Sequence, residues 1–115
     1  MISYEKDRTA RSESNLRGGE GVVDLTPVFP CAIPHMRLFS VITLPPGASI
    51  GMHKHEKEAE AYYVLEGDVV VRECGGDFTL GTGEAHLCSD GESHALLNQS
   101  GAVAKLLAII PTETR

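Results

Sequence analysis

Positive charge is scarce in this sequence of 115 residues, which has ten Lys and Arg against sixteen Asp and Glu. The formal net charge is -6, and the few basic residues are not gathered into one segment. Binding to nucleic-acid phosphates or to anionic lipid surfaces depends on clustered positive charge. The sequence therefore predicts a protein that binds neither nucleic acid nor membranes.

A long hydrophobic segment is also missing. The longest apolar run, Val103 to Ile110, is interrupted by Lys105 and is far shorter than the roughly 20 residues of a membrane-spanning helix. The N-terminal segment MISYEKDRTARSES has no apolar core of the kind found in secretory signals. We therefore expect a cytoplasmic protein.

Cysteines are few and far apart. Cys31, Cys74 and Cys88 are odd in number and never closer than fourteen positions, which excludes a full disulfide framework and a C-x-x-C metal site. We interpret them as reduced thiols packed as small hydrophobic groups. A functional role stays open for Cys88, because it lies close to His94 in the sequence.

The composition that is present suits one folded domain, with 42% hydrophobic and 23% charged residues and a length typical of a single core. Residues 1–16 show no clear hydrophobic period, and the glycine-rich residues 17–21 follow them. We predict an N-terminal arm over residues 1–16, either flexible or dependent on a partner, and a domain over residues 17–115.

Short strand-like segments separated by Gly, Asp, Asn or Ser fill most of this domain, a pattern typical of an antiparallel sandwich or barrel. The sequence therefore predicts an all-β fold. Glu66-Gly67-Asp68 between two of the segments predicts a tight turn, and hence a hairpin of Ala61–Leu65 with Val69–Val71. The predicted strands are Val22–Leu25, Met36–Leu44, Ala61–Leu65, Val69–Val71, Phe78–Leu80, Ala85–Cys88, His94–Asn98 and Val103–Ile110.

Histidines and one glutamate have spacings that suggest a metal site. His53 and His55 stand two positions apart, so a strand would present both imidazoles on one face. Glu60 begins a strand on which it shares a face with Tyr62 and Val64, and a buried carboxylate needs a partner such as a cation. His94 follows a glycine turn and adds a third imidazole. Such a set suits Mn, Fe, Co, Ni, Cu or Zn better than Ca or Mg.

The same residues carry a family resemblance. Gly47-x5-His53-x-His55-x4-Glu60-x6-Gly67 matches the first cupin motif, and the segment from Gly83 through Ser89 and Gly91 to His94 and Asn98 resembles the second. Ser89 departs from that motif, which usually has proline there. The resemblance is to small bacterial cupins of the oxalate-decarboxylase-like subgroup.

This resemblance implies a double-stranded β-helix, or jelly-roll, barrel that binds one divalent transition metal. It implies ligand roles for four residues: His53, His55, Glu60 and His94. Ordinary surface or core histidines, and a salt bridge of Glu60 with Lys or Arg, are the alternative interpretations.

Other polar residues have less certain roles. We consider Tyr62 and His86 candidate catalytic groups, although core packing and a structural role are the simpler interpretations. Asn98 could line the cavity or only satisfy a turn. His35 is expected to be exposed, and Glu56, Lys57 and Glu58 are expected to form a solvated run of charges.

Two classes of function follow from such a site. The first is a metal-dependent decarboxylase, dioxygenase or isomerase that acts on a small organic acid or oxygenated metabolite. The second is a non-catalytic module in which the metal anchors a small ligand, with a carboxylate as a natural choice. A third alternative is a purely structural metal. The resemblance and the exposed strand edges also suggest a homodimer.

Overall fold

The structure is a computed structural model, which describes residues 1–112. These residues form ten strands and two short 3₁₀ turns, and none of them belongs to a helix long and apolar enough to cross a membrane. The turns are Glu5–Asp7 and Leu16–Gly18, and the strands are β1 (Arg11–Ser14), β2 (Val22–Pro27), β3 (Met36–Leu44), β4 (Ser49–Lys54), β5 (Glu60–Glu66), β6 (Val69–Glu73), β7 (Gly76–Leu80), β8 (Ala85–Cys88), β9 (Ser93–Leu97) and β10 (Ala104–Pro111).

The strands form two antiparallel sheets that face each other. The first sheet has the order β1-β2-β3-β10-β5-β8, and the second has the order β4-β9-β6-β7. Alternate residues of each strand point into the space between the sheets, as in β10, where buried and half-buried positions alternate along the strand. This confirms the prediction of an all-β jelly roll.

The predicted hairpin of Ala61–Leu65 with Val69–Val71 is wrong. Strand β5 pairs with β10 and β8 in one sheet, whereas β6 pairs with β7 and β9 in the other. The turn at Gly67 therefore carries the chain from the first sheet to the second, and β6 does not pair with β5. Both strands bury alternate residues, and sequence periodicity alone cannot tell a crossing between sheets from a hairpin.

Part of the predicted N-terminal arm is a strand. Residues of β1 pair with β2 in an antiparallel register, from Arg11 opposite Leu25 to Ser14 opposite Val22. The arm thus contributes the edge strand of the first sheet, which the polar sequence of Arg11–Ser14 did not indicate. Residues 113–115, at the end of the predicted domain, lie outside the described part of the chain.

The turn at Leu16–Gly18 packs tightly on β4 through two glycines. A Cβ atom added to Gly51 would clash with the Arg17 carbonyl oxygen, and one added to Gly19 would clash with the Ser49 carbonyl oxygen. Backbone bonds hold the two segments together, since Ser49 N donates to Glu20 O at 2.9 Å. The N-terminal turn is therefore fixed to the strand that carries His53.

We predict that Gly51→Ala destabilises the fold by roughly 1–3 kcal/mol, the usual cost of overpacking, because the obstructing Arg17 atoms are backbone. Urea unfolding followed by circular dichroism measures this change. Gly75→Ala is the matched control, because a Cβ at Gly75 meets no atom within 4 Å. Equal unfolding midpoints for the two variants would contradict the close contact.

Candidate metal centre

Four side chains from both sheets converge at one point inside the barrel. His53 lies on β4, His55 just after it, His94 on β9 and Glu60 at the start of β5. Their nearest ligand atoms all lie within 4.8 Å of one another. His53 and His94 are register partners across β4 and β9. The structure thus brings together all four residues that the sequence predicted as metal ligands.

The distances at this point suit a metal ion. His94 Nε2 lies 2.9 Å from Glu60 Oε1, 3.1 Å from His55 Nε2 and 3.1 Å from His53 Nε2. Nitrogen and oxygen atoms bound to a transition metal at about 2.1 Å, with angles between 90° and 109°, lie about 3.0–3.4 Å apart. His53 Nε2 lies farther from Glu60 Oε1, at 3.6 Å, so the four side chains could hold one ion after a small movement of the His53 ring.

Hydrogen bonding alone does not explain this cluster. The single Nε2 atom of His94 has four close polar neighbours: two imidazole nitrogens, one carboxylate oxygen and, at 3.4 Å, the Tyr62 hydroxyl. One ring nitrogen carries either a proton or a lone pair, so it cannot bond all of them. Lone pairs directed at a shared cation would resolve the conflict, and the donor set fits a transition metal.

Glu60 supplies the negative charge of the cluster. Burial by itself would raise the pKa of this carboxyl group, but contacts with His53 and His94, together with the charges of His94 and His55, lower the pKa to about 2. Glu60 is therefore ionised at neutral pH although it is only 4% exposed. A buried carboxylate in this state requires a positive partner.

Groups outside the cluster orient two of the three imidazoles. His53 Nδ1 donates to the Gly51 carbonyl oxygen at 2.7 Å, and His55 Nδ1 donates to Glu58 Oε2 at 2.6 Å. These bonds place the protons on Nδ1 and leave both Nε2 lone pairs for the centre. His94 Nδ1 is buried and has no hydrogen-bond partner among residues 1–112.

Glu58 was wrongly predicted to belong to a solvated run of charges. Its side chain is only 13% exposed, and both carboxylate oxygens bind the Arg37 guanidinium at 2.8 Å. The bond from Arg37 lowers the pKa of Glu58, and the bond from His55 acts in the same direction. Glu56 and Lys57 are exposed, as predicted. The sequence feature that could have indicated this role of Glu58 is its position three residues after His55.

Tyr62 and His86 lie on the inward faces of β5 and β8, where they are register partners. The Tyr62 ring stacks on His94 at a centroid distance of 4.9 Å. Burial raises the pKa of Tyr62 well above its usual value, as does the Glu60 charge, so the hydroxyl stays protonated. Burial also lowers the pKa of His86, helped by His94, which favours the neutral imidazole. The catalytic roles of both residues remain predictions.

The remaining candidates are largely structural. Cys88 is buried, and burial raises its pKa to about 11, so the thiol stays protonated. Asn98 is also buried and donates to the carbonyl oxygens of Leu44 and Ala102, which satisfies a turn. Ser89, which replaces the usual proline of the second motif, donates its backbone N–H to Glu92 Oε1 at 2.7 Å. His35 is exposed, as predicted.

A small cavity opens beside the cluster. Its volume is about 160 Å³, below the roughly 300–1,000 Å³ of pockets for drug-sized ligands, so it suits a ligand of a few non-hydrogen atoms. A neighbouring cavity of about 370 Å³ shares four lining residues with it. The inner cavity is lined by His53, His55, Glu60, Tyr62, Arg11, Arg17, Arg37, Leu16, Leu25, Leu38, Ile42, Ile50 and Ile110.

We predict that Glu58→Ala lowers the metal affinity by about 10- to 100-fold, the usual effect of losing an outer partner of a ligand, because the His55 ring is no longer held. Competition titration against a chelator measures the affinity. Glu56→Ala is the matched control, since Glu56 is exposed and its ion pair is with Lys54, on the surface. An unchanged affinity in Glu58→Ala would show that Glu58 does not support the site.

Comparison with known proteins identifies the family of this chain. The model of the cupin domain family matches residues 40–110. A curated oxalate-binding protein of Thermotoga maritima is 37% identical over 112 residues, which cover 96% of this chain and 93% of that protein.

Solved structures give the same result. The crystal structure of a predicted oxalate decarboxylase from Thermotoga maritima superposes with a TM-score of 0.92 at 34% identity, covering 97% of this chain and 99% of that one. A sugar phosphate isomerase of the cupin superfamily from Silicibacter pomeroyi has a TM-score of 0.81 at 18% identity, over 95% and 74% of the two chains, which shows the fold alone. The chain belongs to the cupin family.

Proposed function

We propose that the protein holds one divalent transition metal with His53, His55, Glu60 and His94 and uses it to bind a small carboxylate, with oxalate as the first candidate. The observation that carries this proposal is the convergence of three Nε2 atoms and one ionised carboxylate beside a small cavity. Such a set favours Mn, Fe, Co, Ni, Cu or Zn. In this site the metal would supply a Lewis acid that binds carboxylate oxygens.

The cavity favours a small anion. Three arginines line it, and Arg17 is the one that no acidic side chain of residues 1–112 pairs with, since Arg11 and Arg37 bind Glu13 and Glu58. Glu60 is the only acidic residue among its described lining residues. The volume of about 160 Å³ leaves room for a two- or three-carbon acid. The name of the curated Thermotoga relative, an oxalate-binding protein, supports the same class of ligand.

Catalytic turnover is the second candidate, as a metal-dependent decarboxylase, dioxygenase or isomerase. Tyr62 favours it, because its protonated hydroxyl lines the cavity 3.4 Å from His94 Nε2 and could donate a proton or a hydrogen bond to a ligand. The described cavity lining does not include His86. Formation of product from oxalate by the metal-loaded protein would favour turnover, and binding without product would favour a non-catalytic module.

We predict that His53→Ala and His94→Ala each lower the metal affinity by at least about 100-fold, a larger effect than the loss of an outer partner, and also abolish oxalate binding. Metal analysis after dialysis and calorimetric titration with oxalate measure the two effects. His35→Ala is the matched control, because His35 is exposed and lies outside the cluster. Equal metal content in the wild type and both site variants would refute the ligand assignment.

We also propose that the protein forms a homodimer through the outer face of the first sheet. Tyr63, Leu65 and Leu87 lie on this face and are 49%, 44% and 60% exposed. Light scattering should give twice the chain mass of 12.3 kDa, and Leu87→Glu should shift the protein to monomers. Phe78→Glu, on the second sheet, is the control for an added charge. A monomeric wild type would refute the dimer.

A further inference from the structure

Arg17 is the one arginine of the cavity without an acidic partner in residues 1–112. Arg37 is bound by both oxygens of Glu58, and Arg11 forms an ion pair with Glu13 at 2.9 Å. Arg17 lines the same cavity as His53, His55, Glu60 and Tyr62. Although acidic residues outnumber basic ones in this chain, which has a net charge of -6, the Arg17 guanidinium is available to bind a ligand.

The backbone at Arg17 has an unusual conformation. Its φ and ψ angles are 55° and 29°, in the left-handed region, and Asn15 also has a positive φ of 52°. Asparagine adopts this region readily, whereas arginine does not, and residues held in this way concentrate at ligand-binding sites. Arg17 is one of the residues that line the cavity, and its charge acts on the Tyr62 hydroxyl there, whose pKa it lowers against the larger effect of burial.

Several contacts hold Arg17 in this position. Gly19 N donates to Leu16 O at 2.9 Å, and Asn15 N donates to Gly21 O at 2.9 Å, which closes the turn around Arg17. The Arg17 carbonyl oxygen packs against Gly51, whose own carbonyl accepts the bond from His53 Nδ1. The guanidinium and the metal ligand His53 are therefore positioned by the same short piece of β4.

We infer that Arg17 is a specificity-determining residue that binds the second carboxylate of a short dicarboxylate, which makes the ligand a dianion. This inference rests on the proposed binding of a carboxylate at the four-residue cluster. A guanidinium matches a carboxylate with two parallel N–H donors, and the small cavity places the two anion-binding groups close together. A monocarboxylate lacks the group that Arg17 would bind.

The rest of the cavity supports this class of ligand. Apart from the arginines, the cluster and Tyr62, its lining side chains are apolar, and they offer no partners to the hydroxyl groups of a sugar. These side chains are Leu16, Leu25, Leu38, Ile42, Ile50 and Ile110. A short, hydroxyl-free dianion is therefore a better match than a polyhydroxylated ligand.

The test uses the full-length protein loaded with Co²⁺, titrated in a calorimeter with oxalate, malonate and acetate. Arg17→Gln should weaken oxalate and malonate binding by about 10- to 100-fold, the range expected for loss of charge-assisted hydrogen bonds, and acetate binding by less than about threefold. Arg17→Lys should fall between Arg17→Gln and the wild type. The metal content and the Co²⁺ absorption spectrum should not change.

Arg11→Gln is the matched control for charge, since it removes an arginine from the same cavity whose guanidinium is already paired. Arg17→Gly is a second variant that tests whether any loss of binding comes from misfolding. Glycine adopts the left-handed conformation readily, so this variant should keep or raise Tm. It should lose dianion binding as Arg17→Gln does.

The outcomes separate the two proposals. If the wild type binds oxalate and the Arg17 variants bind it equally well, the role of Arg17 is refuted and the proposed function stands. If Arg11→Gln weakens binding as much as Arg17→Gln, the effect is a general one of charge, and the specific role is also refuted. If the metal-loaded wild type binds none of the three acids, both proposals fail.

Discussion

A buried, ionised carboxylate is the constraint on which the site depends. Glu60 stands at the first position of β5, inside the barrel, where an unpaired charge would be costly. Its nearest neighbours are the imidazoles of His53, His55 and His94, whose ring nitrogens are common metal ligands. A cation held between them would satisfy the carboxylate and the imidazoles together, and it would connect the two sheets at one point.

The second sheet provides the geometry that makes this possible. His53 and His94 are cross-strand neighbours on β4 and β9, and the register of that pair shifts between Ile50 and His53. Irregular pairing of this kind redirects side chains near binding sites. Gly51 lies within the irregular segment and accepts the His53 bond there, so the local backbone determines which ring nitrogen faces the centre.

Most of the site could be predicted from the sequence. His53, His55, Glu60 and His94 lie on strands or next to them, and because side chains alternate between the two faces of a strand, their spacing indicates which of them share a face. The partners of these residues could not be predicted in this way. Glu58 lies in a connection without periodicity, and its contact with Arg37 depends on a strand twenty-one positions away. The orientation of His86 was equally open, because β8 is too short for its pattern to identify the buried face. The hairpin prediction was wrong for a related reason. A turn-forming sequence indicates where the chain bends, but it does not indicate which sheet the next strand joins.

Two parts of the chain line the cavity, and one of them is the N-terminal turn that packs on Gly51. The metal ligands belong to the segment that the cupin family model matches, residues 40–110, whereas Leu16 and Arg17 reach the cavity from before it. Two cupins could therefore share the same four metal-binding side chains and still accept different molecules, because part of the cavity lining lies outside the segment that carries the motifs. A change of residue in this turn would then alter the ligand preference without altering the metal ligands.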